Sequence, residues 1–96
     1  MLVNRRTFIA KRGCFSDVAA LLKEAADLVG LPRPARIYLS EVGSFDTIAI
    51  EAEYENYAEY ERFMALHDTK LSAQWWEKWF AVTESGGRNE IWKLLD

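Results

Sequence analysis

From Leu2 to Ala10, Val, Thr, Phe and Ile are interleaved with Asn and Arg, the period-two pattern of a β-strand. Gly13 breaks that pattern. After it, Phe15, Val18, Leu22, Ala25 and Val29 recur at spacings of three and four, which predicts a helix with one apolar stripe and Ser16 as its cap. Gly30 suits the left-handed position that ends a helix, and Pro32 and Pro34 keep it from resuming. Arg36 to Val42 reads as a second strand, Gly43-Ser44 as a turn, and Thr47 to Tyr54 as a third strand, together a hairpin. In the third strand Ile48, Ile50, Ala52 and Tyr54 alternate with Thr47, Ala49, Glu51 and Glu53, so the first set is expected to meet the helices.

Asn56 with Glu59 resembles a capping box, and Tyr57, Tyr60, Met64 and His67 follow at helical spacing. Asp68-Thr69-Lys70 interrupts the apolar pattern, after which Ser72 can cap a continuation carrying Trp75, Trp76, Trp79 and Phe80; a bend and a break both fit. Ser85-Gly86-Gly87 is expected to end this helix as a turn, and Glu90 to Leu95 to form the last strand.

The order is βαββαβ, which predicts a single α+β domain over residues 1–96: a ferredoxin-like, four-stranded antiparallel sheet with two helices on one face. The other face is left bare and carries either Ile37 and Leu39 or Tyr38 and Val42 from the second strand. A chain of 96 residues buries only about 60–65% of the surface its unfolded form exposes, so a second copy laid against the bare face would add stability. The expectation is a homodimer joined through the sheet face, a dimeric α+β barrel.

Composition narrows the function classes. Half the residues are hydrophobic and 28% charged, which suits a globular domain rather than a disordered one. A net charge of −3, with lysines and arginines scattered among acids apart from Lys11-Arg12, argues against a nucleic-acid partner. The lone Cys14 excludes an intramolecular disulfide and fits a reduced, cytoplasmic thiol, and a lone histidine excludes a His-rich metal site. Met-Leu-Val-Asn-Arg-Arg has no apolar run of signal-peptide length, and no stretch is long enough for a membrane span. No flavin, nicotinamide or metal motif points to a cofactor.

Several segments together resemble the NIPSNAP-type proteins of the dimeric α+β barrel superfamily. Arg6-Thr7-Phe8-Ile9-Ala10-Lys11-Arg12-Gly13 is similar to their Arg-x-Tyr-x-x-x-x-Gly opening strand, with Phe8 where Tyr is usual. The similarity continues in Ser40-Glu41-Val42-Gly43-Ser44-Phe45-Asp46, in Glu53-Tyr54-Glu55-Asn56-Tyr57-Ala58-Glu59-Tyr60, and in Gly87-Arg88-Asn89-Glu90-Ile91-Trp92. The resemblance implies a homodimer with a pocket between each sheet and its own helices or inside the barrel. It implies a superfamily that also contains cofactor-free monooxygenases and haem-degrading enzymes, but offers no catalytic residue to carry onto this chain.

Among individual residues, His67 is the only imidazole and can serve as a general base or a haem ligand, or simply pack at a helix end. Trp75, Trp76 and Trp79 can wall a pocket for a flat aromatic or polyketide-like ligand, or belong to the core. Glu51 and Glu53 are expected opposite Arg5 or Arg6, either as ligand-binding charges or as a solvated ion pair at the barrel rim, with Tyr38 beside them as a hydrogen-bond donor or a structural ring. No nucleophilic triad or phosphate-binding loop is present. Two readings follow. One is a dimeric small-molecule-binding protein, a candidate cofactor-independent monooxygenase or isomerase, with its ligand site drawn from Arg6, Tyr38, Glu51, His67 and Trp76. The other is a non-catalytic association module in which the tryptophans only pack; haem binding through His67 is a third option.

Overall fold

The computed structural model describes residues 1–95. Its elements are β1 (Leu2–Ala10), α1 (Phe15–Val29), β2 (Arg36–Leu39), β3 (Thr47–Tyr54), α2 (Tyr57–Lys70), α3 (Ala73–Val82) and β4 (Thr83–Lys93). The four strands form one antiparallel sheet in the order β2-β3-β1-β4, the ferredoxin-like arrangement that the alternation of elements predicted. No described helix is long and apolar enough to cross a membrane.

The strand alternation sorts the sheet into two faces. Register pairs Arg6 with Ile50, Phe8 with Ile48 and Asn4 with Ala52, so these side chains share the face that meets the helices. Ala10 and Ile48 on that face join Val18, Leu22 and Ala25 of α1 and Trp75 and Trp79 of α3 in the core. The edge of Phe8 meets the Trp79 ring at 4.8 Å between centroids, and Trp75 stacks on Trp79 at 5.3 Å. The opposite face carries Arg5, Glu51, Tyr38 and Trp92 with no helix over it.

Four local expectations change. First, α1 begins at Phe15 with Cys14 at the cap rather than Ser16: left-handed Gly13 lets Cys14 N–H bond the Lys11 carbonyl at 2.8 Å, and this turn starts the helix early. Second, β2 stops at Leu39 rather than Val42, because Ser40 N–H closes the hairpin on the Thr47 carbonyl and residues 40–46 leave the ladder as a loop. Arg12 holds that loop through Asp46 at 2.8 Å, with its guanidinium over the Phe45 ring. Third, of the bend and the break that both fitted, the helix breaks, but at Leu71: Asp68-Thr69-Lys70 stay inside α2. Asn56 accepts from Glu59 N–H to start α2, Ser72 accepts from Trp75 N–H to start α3, and extended Leu71 separates them. The Glu59 carboxylate reaches back to Glu55 N–H rather than to that of Asn56.

The fourth difference is the largest. Gly86 and Gly87 are not a turn but lie inside β4, which begins at Thr83 immediately after α3. The ladder with β1 slips between Thr7 and Ile9, forming a bulge opposite Phe8. Gly87 sits at φ 93°, and a Cβ there would collide with the Thr7 carbonyl, so β4 approaches β1 this closely only because the side chain is missing. A strand whose middle is Ser-Gly-Gly has no period-two signature to read.

Candidate functional site

Between the helix-facing side of the sheet and the helices lies a cavity of about 160 Å³. Its walls are mostly apolar: Leu22, Ala25 and Val29 from α1, Ile50 and Ala52 from β3, and Trp75, Trp76 and Trp79 from α3. One end is polar, built by Asn4 and Arg6 of β1 together with Tyr54 at the end of β3. Met64 and His67 of α2 complete the wall beside Leu71, where α2 gives way to α3.

The polar end is a chain of hydrogen bonds. Asn4, only 4% exposed, donates to the Asn89 side-chain oxygen at 2.7 Å and to the Glu90 carbonyl at 2.9 Å. Its own side-chain oxygen accepts from Arg6 Nε at 3.2 Å. Arg6 Nη2 then donates to the Tyr60 hydroxyl at 3.1 Å and lies 3.0 Å from Met64 Sδ. Tyr54 is 1% exposed, packed edge-on against Tyr60 at 5.4 Å, and its hydroxyl has no hydrogen-bond partner among the described residues. Burial pushes the Tyr54 phenol up to about 12, against the pull of the Arg6 charge, so the hydroxyl stays protonated at neutral pH. Trp75 is anchored through its indole N–H, which donates to the Leu21 carbonyl at 3.2 Å.

His67 occupies the last turn of α2, with Nδ1 3.1 Å from the Phe63 carbonyl. A carbonyl can only accept, so this contact assigns a proton to Nδ1, and in the neutral ring Nε2 then carries the lone pair. Such an imidazole can take a proton.

Of the residues singled out in the sequence, the structure brings Arg6, His67 and Trp76 together around this cavity. Tyr38 and Glu51 lie on the opposite, bare face, so Arg6, Tyr38, His67 and Trp76 do not share one pocket within the chain. There, Arg5 rather than Arg6 pairs with Glu51, Nε to Oε2 at 2.6 Å, and the Tyr38 hydroxyl donates to Glu51 Oε1 at 3.1 Å. Adjacent residues of a strand point to opposite faces, which is why only one of the two arginines can reach that carboxylate. Asn4, Tyr54 and Tyr60 were not singled out as site residues in the sequence. The available signal was the phase: Asn4 and Arg6 are polar residues in register with Phe8 and Ala10, the positions that must face the helices.

No protein-family model matches this sequence, and a search of curated proteins returns no significant match. Solved structures do share its shape. A NIPSNAP family protein of unknown function from Agrobacterium tumefaciens superposes with a TM-score of 0.75 at 17% identity, covering 98% of this chain and 87% of that one. An uncharacterized NIPSNAP domain protein from Burkholderia xenovorans gives 0.75 at 13% identity, over 99% and 95% of the two chains. SnoaB, a cofactor-independent oxygenase from Streptomyces nogalater, gives 0.69 at 10% identity, over 99% and 93%. The fold is that of the NIPSNAP proteins and of this oxygenase. At such identities the NIPSNAP-like fold is shared and the chemistry is not thereby shared.

Proposed function

We propose that this protein binds a flat, single-ring molecule in the cavity between its sheet and helices and acts on it without a cofactor, His67 Nε2 serving as the base. The carrying observation is an apolar, tryptophan-walled cavity lined at one end by Tyr54, a buried residue whose hydroxyl makes no hydrogen bond among the described residues. A volume of about 160 Å³ is close to that of an engineered apolar cavity, about 150 Å³, that takes up benzene, which favours one ring over a fused polyketide skeleton. Proton removal from an acidic C–H of the ligand is the step common to two outcomes. Return of the proton at another carbon is an isomerisation; attack of the carbanion on dioxygen, followed by loss of water, turns a CH2 into a carbonyl. The likeness to SnoaB, described as a cofactor-independent oxygenase, supports the second.

In the same reading the protein is a homodimer, its two bare faces closed on each other. Trp92, 56% exposed, and Tyr38, 45% exposed, support that pairing, and they equally favour the alternative in which association is the whole function. Native mass spectrometry separates the two: a dimer carrying added mass of single-ring size is expected, and a bare dimer whose tryptophan emission responds to no single-ring compound leaves the association module.

A further inference from the structure

Arg6 is half-buried yet in no ion pair among the described residues, whereas the other arginines outside an ion pair, Arg36, Arg62 and Arg88, are exposed. Arg5 has Glu51, Arg12 has Asp46 and Arg33 has Glu59, whereas Arg6, half-buried in the cavity wall, has no described carboxylate within 4 Å. Glu59, the acid whose charge reaches Tyr54, is already committed: Arg33 Nη1 donates to it at 2.7 Å and Glu55 N–H at 2.9 Å. These bonds, that from Arg33 foremost, hold the Glu59 carboxyl below the usual carboxylate range and keep it charged toward Arg33. Nε and Nη2 of Arg6 are used by Asn4, Tyr60 and Met64, and Nη1 has no acceptor among the described residues.

We propose that the cavity selects aromatic acids: a single ring against the Trp75 wall, with its carboxylate taken by Arg6 Nη1 and the Tyr54 hydroxyl. The inference rests on the single-ring reading above and adds the charge of the ligand to it. A cation withdrawn from water without a counter-ion is costly, and an entering carboxylate supplies the missing one. Two donors of this kind, one charged and one neutral, both lacking an acceptor among the described residues and both from residues that line one cavity, complement the two oxygens of a carboxylate. Burial keeps the Tyr54 phenol protonated at neutral pH, so its hydroxyl can donate to the carboxylate. The hydrogen bonds from Arg6 to Asn4 and Tyr60 fix the guanidinium before the ligand arrives, which preserves affinity that ordering would otherwise consume.

The test compares benzoate with benzamide, nearly the same shape without the charge, by titration of tryptophan emission. Benzoate is expected to bind at least about tenfold more tightly, a difference of about 1.4 kcal/mol. Arg6→Gln should abolish that preference, with far-ultraviolet circular dichroism confirming the fold. Tyr54→Phe, which removes only an unpartnered hydroxyl, should weaken benzoate more than benzamide and keeps the test alive if Arg6→Gln does not fold. Benzamide binding as tightly as benzoate overturns the acid selectivity and leaves the single-ring reading standing. If neither binds, both fall.

Discussion

Arg5 and Arg6 are neighbours in β1 and face opposite ways. Arg5 meets Glu51 and, through it, Tyr38, on a face that no helix covers. Arg6 meets neutral oxygens and a sulfur, on the face that the helices close. On the open face, water would screen either charge, so the ion pair adds modest stability and resembles many others at protein surfaces. On the closed face an unpaired cation is an expense that burial should remove, unless something other than the protein completes it. One strand thus supplies both an ordinary surface pair and the unusual group of the cavity, distinguished only by the parity of two consecutive positions.

Replacing the large rings on each face is the strongest way to break this comparison. Trp75→Ala, which removes a buried indole, its stack on Trp79 and its bond to Leu21, should cost about 3–5 kcal/mol in urea denaturation. Trp92→Ala on the open face should cost under about 0.5 kcal/mol at protein concentrations low enough for a monomer. A loss at Trp92 that becomes large only as the protein concentration is raised would mean that a second copy covers this face.

The next effect is alkaline. A phenol raised from 10 to about 12 by burial stabilises the fold below pH 10, and that contribution drains away as the pH rises toward 12, because only the unfolded tyrosine ionises in that window. About 2–3 kcal/mol should disappear over that interval in the wild type and persist in Tyr54→Phe. Equal pH slopes in the two proteins would show that the hydroxyl is wetter than its burial implies.

The smallest effect belongs to the open pair. Glu51→Gln should lose roughly 0.2–1 kcal/mol, shrinking as salt is added. A loss several times larger, insensitive to salt, would indicate that a second copy has sealed this face and made the pair a buried one.

The parts of the fold legible in the sequence are those with a repeating signature. β1, β3 and the body of α1 show periods of two or of three and four, and the Asn56 and Ser72 caps announced both helices of the broken pair. β4 was half hidden because its bulge replaces side chains with two glycines, and the end of β2 because pairing, not composition, decides where a hairpin opens. In the site, Arg6, His67 and Trp76 stood out by residue type alone. The separation of Tyr38 from them depended on which phase of β2 faces the helices, and its four residues are too few to decide that. Tyr54 looked like core, and only the cavity beside it makes its hydroxyl chemically interesting.

The bulge in β4 has an arithmetical consequence. Thr7 pairs with Arg88 and Ile9 with Glu84, so two steps along β1 correspond to four along β4, a surplus of two residues. Because the surplus is even, side chains on either side of the glycines keep the same inside-outside phase. Deleting both glycines would restore a plain ladder without turning any residue over, while deleting one would invert Thr83 and Glu84 and expose what should be covered. Length variation at this point in chains of this shape should therefore come in pairs.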